Sequence, residues 1–384
     1  MMNLRLKELL VQLEAELNPE HQEAVDSLHQ KALNWEPVER LPLVINYPFP
    51  ADCLVQPFPH REIFDDPEKM LFNELVHAFG TSIYLHGTNN WKKAGSPDDL
   101  PYTIRANFGI VIIASLFGAR VEQRDDNPPW VRSFPTEDEF LSFLDRDPHD
   151  FSQGVCPQVT ERYRFFRDVL RHYPVLGEAV RIVLPDLQGP LDTLELLRGS
   201  AVYEDFILEP ERTDLALQRI AQAQVGFARH LGQFITDGPD GFAHQHATVI
   251  KGNILIRNDS AIMISPDMYA GQVAHHDEFV LREMGGGGVH SCGKIDFNVP
   301  EVFNLPSLKC FDFGQSYLND LDPLYGPAKE KKIPLIRIRA GREELLSGSI
   351  MKRFPTGVSL VYEAASWEEA QFVAENYCFG SLKI

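Results

Sequence analysis

The sequence predicts an α/β fold, a (β/α)8 TIM barrel carrying an N-terminal helical extension, and three observations lead there. From residue 179 onward, short apolar runs alternate with helical segments, the pattern of a parallel sheet covered by helices. The 384 residues are enough for one large barrel with additions. No GxGxxG turn opens the alternation, so a dinucleotide-binding open sheet is disfavoured. The expected division is an extension over residues 1–38 and a barrel over 39–384.

Residues 1–34 are rich in Leu, Glu and Gln and read as helical, packing outside the main domain or against a second subunit. Arg40 to Asn46 is an apolar run stopped by Pro48 and Pro50, hence a strand. Residues 51–178 mix helices with Pro- and Asp-rich connections, and Thr136 with Glu139 has capping-box spacing. Ala179 to Leu184 reads as a buried strand, followed by helices over Thr193 to Arg198 and about 212–235. Ala261 to Ile264 reads as the next strand. Ser265-Pro266-Asp267 then starts a helix, with a hydroxyl cap, proline in the first turn and an acid at the positive dipole end. Gly285 to Gly288 stop that helix and turn the chain into a strand bearing His290. Leu308–Phe313, Ile333–Ile338 and Val358–Tyr362 are further strands, and Ser366 with Glu369 caps a last helix.

Hydrophobic residues make up 44% and charged residues 24%, the balance of a globular protein. Lys and Arg number 36 against 55 Asp and Glu, a formal charge of −19, so a nucleic-acid partner is not expected. No run approaches the roughly 18–20 apolar residues of a membrane span, and residues 1–17 lack the apolar core of a signal peptide. Five scattered cysteines argue against a disulfide framework and for a cytoplasmic location.

The chemistry concentrates at His290-Ser291-Cys292. Residues two apart on a strand face one side, and an imidazole with a thiolate at a strand end forms half of a zinc site. Asp186 and Gln188 follow a strand at its C-terminal end, where catalytic groups of barrels collect. His244 and His246 form a second pair two apart that would end a strand and reach the pocket. Asp259 presents a polar group before its strand. His275 and His276 are expected along the outer side of their helix.

Several segments together resemble the uroporphyrinogen decarboxylase superfamily. These are Ala32-Leu33-Asn34-Trp35-Glu36-Pro37-Val38-Glu39-Arg40-Leu41-Pro42, Asp186-Leu187-Gln188-Gly189-Pro190 with its helix, and Ile264-Ser265-Pro266-Asp267-Met268-Tyr269 through Gly288-Val289-His290-Ser291-Cys292-Gly293. The resemblance spans roughly residues 30 to 376 and implies a (β/α)8 barrel with its pocket at the strand C-termini. It is closer to the branch that moves methyl groups between corrinoid proteins and thiols than to the true decarboxylases. It implies zinc on His290 and Cys292 and a corrinoid carried by a partner protein. A homodimer is also expected, from the helical leader together with the resemblance.

The family's third ligand, a cysteine beyond the last strand, has no counterpart near Glu363-Ala364-Ala365, and Cys378 lies too late. Asp312, Glu363 and Cys310 are the candidates to complete the ligand set. Asp186, Gln188 and Asp259 are the catalytic candidates; Asn46, Tyr47, His244, His246 and Gln315 are the substrate-binding ones. True uroporphyrinogen decarboxylation is disfavoured because Asn46 to Cys53 holds no arginine where the decarboxylases place an arginine-rich stretch. Two alternatives stay open. One is a metal-free decarboxylase or lyase in which Asp186, Asp259 or Asp312 manages protons, favoured by a pocket with two or more arginines. The other is a non-catalytic barrel that has lost metal ligands.

Overall fold

The computed structural model describes residues 2–17, 19–47, 56–79, 103–123, 126–245 and 248–378. Twelve strands occur among them: β1 (Leu43–Asn46), β2 (Thr103–Ile104), β3 (Arg120–Glu122), β4 (Trp130–Arg132), β5 (Arg181–Ile182), β6 (Phe242–Gln245), β7 (Thr248–Lys251), β8 (Ile254–Arg257), β9 (Gly287–Ser291), β10 (Leu308–Phe313), β11 (Leu335–Arg339) and β12 (Val358–Glu363). Six form a parallel sheet in the order β1-β12-β11-β10-β9-β8, and β2 pairs with β5, also in parallel. Helices follow the sheet strands, as parallel crossovers require. Among the described residues no ladder joins the pair to the sheet, so the fold is α/β with a six-stranded parallel sheet, and a closed eight-stranded ring is not shown.

The strand expected at Ala261 to Ile264 is corrected. Asp259–Met263 is a 3₁₀ turn, and the strand is the preceding run Ile254–Arg257. Both runs are apolar and equally short, so hydrophobicity cannot rank them. The backbone N–H groups of Asp259 and Ser260 instead donate to the two oxygens of Asp192, and this carboxylate holds the turn. Local capping chemistry is as expected: Thr136, Ser265 and Ser366 accept from the backbone N–H groups of Glu139, Met268 and Glu369.

The amino-terminal helices Leu4–Glu16 and Pro19–Leu33 do not stand apart from the main domain. Leu6, Leu9, Leu10 and Leu13 recur at helical spacing and are buried in the principal hydrophobic core. The Glu14 carboxylate accepts from the N–H groups of Val175 and Leu176, satisfying the start of helix Pro174–Ala179.

β6 and β7 form an antiparallel hairpin that closes the floor of the sheet. Phe242, Ala243, Val249 and Ile250 pack with Val25, Leu33, Leu255, Cys310 and Ile336 in a second apolar cluster. The hairpin leads directly into the start of β8, which places it at the amino-terminal end of the parallel strands. No helix among the described residues is long and apolar enough to cross a membrane.

Candidate metal centre

The register of the parallel sheet lines up Arg257, His290 and Asp312 as neighbours across β8, β9 and β10, near the carboxyl ends of those strands. All three are buried, a polar row above the apolar layer of Leu255 and Cys310. Asp312 is fully buried, and its neutralising partner is Arg337 on β11. The Arg337 Nε donates to Asp312 Oδ1 at 2.6 Å and its Nη2 to Oδ2 at 2.9 Å. Arg337 reaches inward because the β11–β12 register slips there and its φ is +58°, a left-handed conformation uncommon for a side chain. A bulge that re-aims one side chain is a frequent device at functional sites.

The His290 Nδ1 lies 2.9 Å from Asp312 Oδ2 and 2.9 Å from Arg337 Nη2. One proton position, Nδ1–H, donates to Asp312 and frees the Nε2 lone pair as a donor to a cation. That Nε2 lies 3.4 Å from the Cys292 Sγ and 3.5 Å from Asp259 Oδ1. Asp259 Oδ1 also accepts the Cys292 N–H at 2.7 Å, fixing ligand to ligand. The three donor atoms all lie within 4.8 Å of one another. A tetrahedral zinc requires sulfur and nitrogen about 3.6 Å apart and nitrogen and oxygen about 3.3 Å apart. The donors present fit that cation in type and in separation. Three such protein donors would leave a fourth position for substrate, as in catalytic zinc sites. The Asp259 side chain is 46% exposed, so the cluster is reached from solvent on that side.

Burial pushes the Cys292 thiol up to about 12, and the Asp259 charge adds to the rise. Without a cation it is therefore a thiol at neutral pH, and a divalent ion would reverse that. The Asp259 turn is fixed by Asp192, whose carboxyl is raised to about 7 by burial and then by the charge of Asp259. One residue earlier, the Asn258 side-chain amide donates to the buried Asp277 Oδ2 at 2.6 Å. Gly314 borders the cluster from β10: a Cβ there would stand 2.6 Å from the Cys292 Sγ and 2.8 Å from the His290 Cε1.

Arg257 completes the row. Its guanidinium pairs with Asp186, while Nε and Nη2 meet no hydrogen-bond acceptor among the described residues. Burial, reinforced by the nearby Arg105, pushes it well below the ordinary arginine value. Asp186 also accepts from the backbone and side-chain N–H groups of Gln188, whose φ is +59°. The following Gly189 permits close approach to β8, because a Cβ would fall 2.2 Å from the Arg257 carbonyl.

The other expected ligands and binding residues are corrected or placed elsewhere. Asp312 belongs behind His290 rather than in the cluster of donors, because both its oxygens are engaged by His290 and Arg337. Cys310 lies one layer deeper, fully buried, its thiol 3.5 Å from the Lys251 carbonyl. Glu363 accepts from Asn46 at 2.8 Å on the exposed β1–β12 edge, outside the cluster. Tyr47 packs edge-on against Trp367, ring centres 5.4 Å apart. Gln315 accepts the Gly293 N–H, tying down the loop that follows Cys292. His244 is not at the mouth. It is buried in the floor hairpin, bonded through Nδ1 to Asp237 at 2.6 Å and through Nε2 to Asp26 at 3.2 Å. His246 and residues 48–55, which include Cys53, lie outside the described residues. His276 is not on the outer side of its helix but buried.

Asp259, expected as a proton-handling group, lies within reach of both His290 and Cys292, while Arg257, Arg337, Asp192 and Gly314 carry no sequence signal. Arg257 is hidden when the strand is set at Ala261 to Ile264, because it then falls in a connection. Arg337 sits in Leu335–Arg339, where alternation reads an arginine between isoleucines as solvent-facing.

No family model matches the chain, and no curated protein matches it in sequence. Among solved structures it is similar to a methyltransferase from Methanosarcina mazei, with a TM-score of 0.57 and 13% identity over 93% of this chain and 97% of that one. At that identity the likeness shows a shared fold.

Proposed function

We propose that the chain is a zinc-dependent methyltransferase that delivers a methyl group to a thiol. One observation carries the reading: donor atoms of Asp259, His290 and Cys292 converge, and the far nitrogen of His290 is tied to a buried carboxylate. The likeness to a methyltransferase adds a fold shared with an enzyme of methyl transfer. Zinc held there would supply the positive charge that keeps a substrate thiol deprotonated at neutral pH. Asp312 orients the His290 ring through Nδ1, and Arg337 holds Asp312 by two charged hydrogen bonds. Asp259 holds the Cys292 backbone, so sulfur and imidazole share one orientation. The substrate sulfur forms the S–CH3 bond, and the bonding pair of the departing methyl stays with its donor, a corrinoid protein or a small methyl compound. Asp259 supplies the oxygen donor where the late cysteine of the resembled methyltransferases is missing.

The unpartnered Nε and Nη2 of buried Arg257 favour a second reading, a metal-free lyase or decarboxylase acting on a small acid. Arg257 and Arg337 each already carry an aspartate, which weakens them as a clamp for a polyanion. Metal analysis of protein purified without chelators separates the readings. The zinc reading expects the zinc content to fall by one equivalent per chain in Cys292→Ala and in Asp259→Ala, whatever the chain binds elsewhere. Unmutated protein whose zinc content does not respond to Cys292→Ala would be evidence against it.

A further inference from the structure

A second set of ligand-type side chains lies where helix Pro210–Leu231 meets helix Ala274–Glu283, away from the β9 centre. Asp214 Oδ1 lies 2.8 Å from the His275 Nε2 and 2.9 Å from the His276 Nε2. Two imidazole nitrogens thus point at one carboxylate oxygen, and all three donor atoms fall within 4.8 Å. Their rings stand 3.9 Å apart, centre to centre, at an interplanar angle of 41°.

Adjacent residues of a regular helix diverge by about 100°, so the two imidazoles reach one oxygen through their side-chain torsions rather than from a shared helix face. The pair follows a π-helical turn, Tyr269–Val273, and such turns recur at functional sites. Asp277, the next residue after the pair, is buried and bonded to Tyr269 and Asn258, which fixes the rotation of the helix.

We infer that Asp214, His275 and His276 form a second binding site, for a divalent late transition metal such as zinc, cobalt or nickel. The donor set of two imidazoles and one carboxylate suits those ions. Tetrahedral geometry asks for nitrogen–oxygen separations of about 3.3 Å, a widening of a few tenths of an ångström from those present. On entry of the ion each neutral imidazole carries its proton on Nδ1, and Nε2 turns its lone pair to the metal, so no net proton loss is required. Asp214 and His275 are more than half exposed, so the ion is accessible and keeps water on its open positions. The ion would clamp one helix to the other, and the chain's net charge of −19 favours its approach.

The site is independent of the proposed methyl transfer, and cobalt(II) titration of the full-length protein tests the two separately. Ions on Cys292 give an intense sulfur-to-metal absorption, whereas ions on nitrogen and oxygen give only weak visible bands. Cys292→Ala should lose the intense band and keep one equivalent with weak bands. Adding Asp214→Asn or His275→Ala, both at exposed positions, should weaken that remaining equivalent at least tenfold. The inference is overturned if Cys292→Ala binds no cobalt, or if its retained equivalent is indifferent to both substitutions.

Discussion

At the scale of single residues, the candidate centre depends on groups that hold its ligands as much as on the ligands themselves. Asp312→Asn removes the carboxylate charge and replaces one of its two accepting oxygens, both engaged by His290 and Arg337, with a donor, and Arg337→Gln loosens Asp312. Each should lower metal affinity about 10- to 100-fold with the fold retained, read by competition with a chromophoric chelator. Gly314→Ala makes a sharper case, since it alters no donor. Its methyl group would stand 2.6 Å from the Cys292 sulfur, so the pair must separate and affinity should fall at least about tenfold. Normal affinity in Gly314→Ala would show that the loop yields freely. His290 and Cys292 were legible because a period of two puts both on one face whatever the neighbouring strands do. Arg337 was not, because its inward aim comes from a left-handed residue within a bulge, and no pattern of residue types marks it.

At the scale of elements, the parallel strands from β9 to β12 were legible from apolar runs between turn signals, while direction and depth were not. His244 shows why. Alternation can place a histidine on an inward face without saying which end of the sheet that face belongs to. Here the floor hairpin holds it between Asp237 and Asp26, with Arg181 paired to both carboxylates. Burial alone lowers the imidazole, but the hydrogen bonds it donates to Asp237 and then to Asp26 outweigh it and raise it to about 9. A histidine raised in the folded state contributes stability that is complete below its unfolded value near 6.5 and lost as pH climbs through the folded one. Denaturant unfolding should therefore show stability falling by up to about 3 kcal/mol between pH 6.5 and 9.5. His244→Gln should flatten that slope. An unchanged slope in this variant would assign the pH dependence to other groups.

At the scale of the whole molecule, the helical leader belongs to the principal core. Leu10 is fully buried among Leu6, Leu9 and Leu13, and Leu10→Ala should cost about 2–5 kcal/mol, measurable as a lowered urea midpoint with an unchanged slope. The sequence could show that this helix is amphipathic but not what its apolar face meets, since that depends on residues far along the chain. The same holds for β1, whose hydrogen-bonded neighbour in the sheet is β12: Asn46 reaches Glu363 across 317 positions. A ribosome making this chain exposes the β1 edge until β12, some 317 positions later, has been made. For that interval the nascent chain carries a bare, apolar strand rim of the kind that invites mispairing with neighbours, so holdase protection early in translation should matter more here than for proteins whose first strands pair locally.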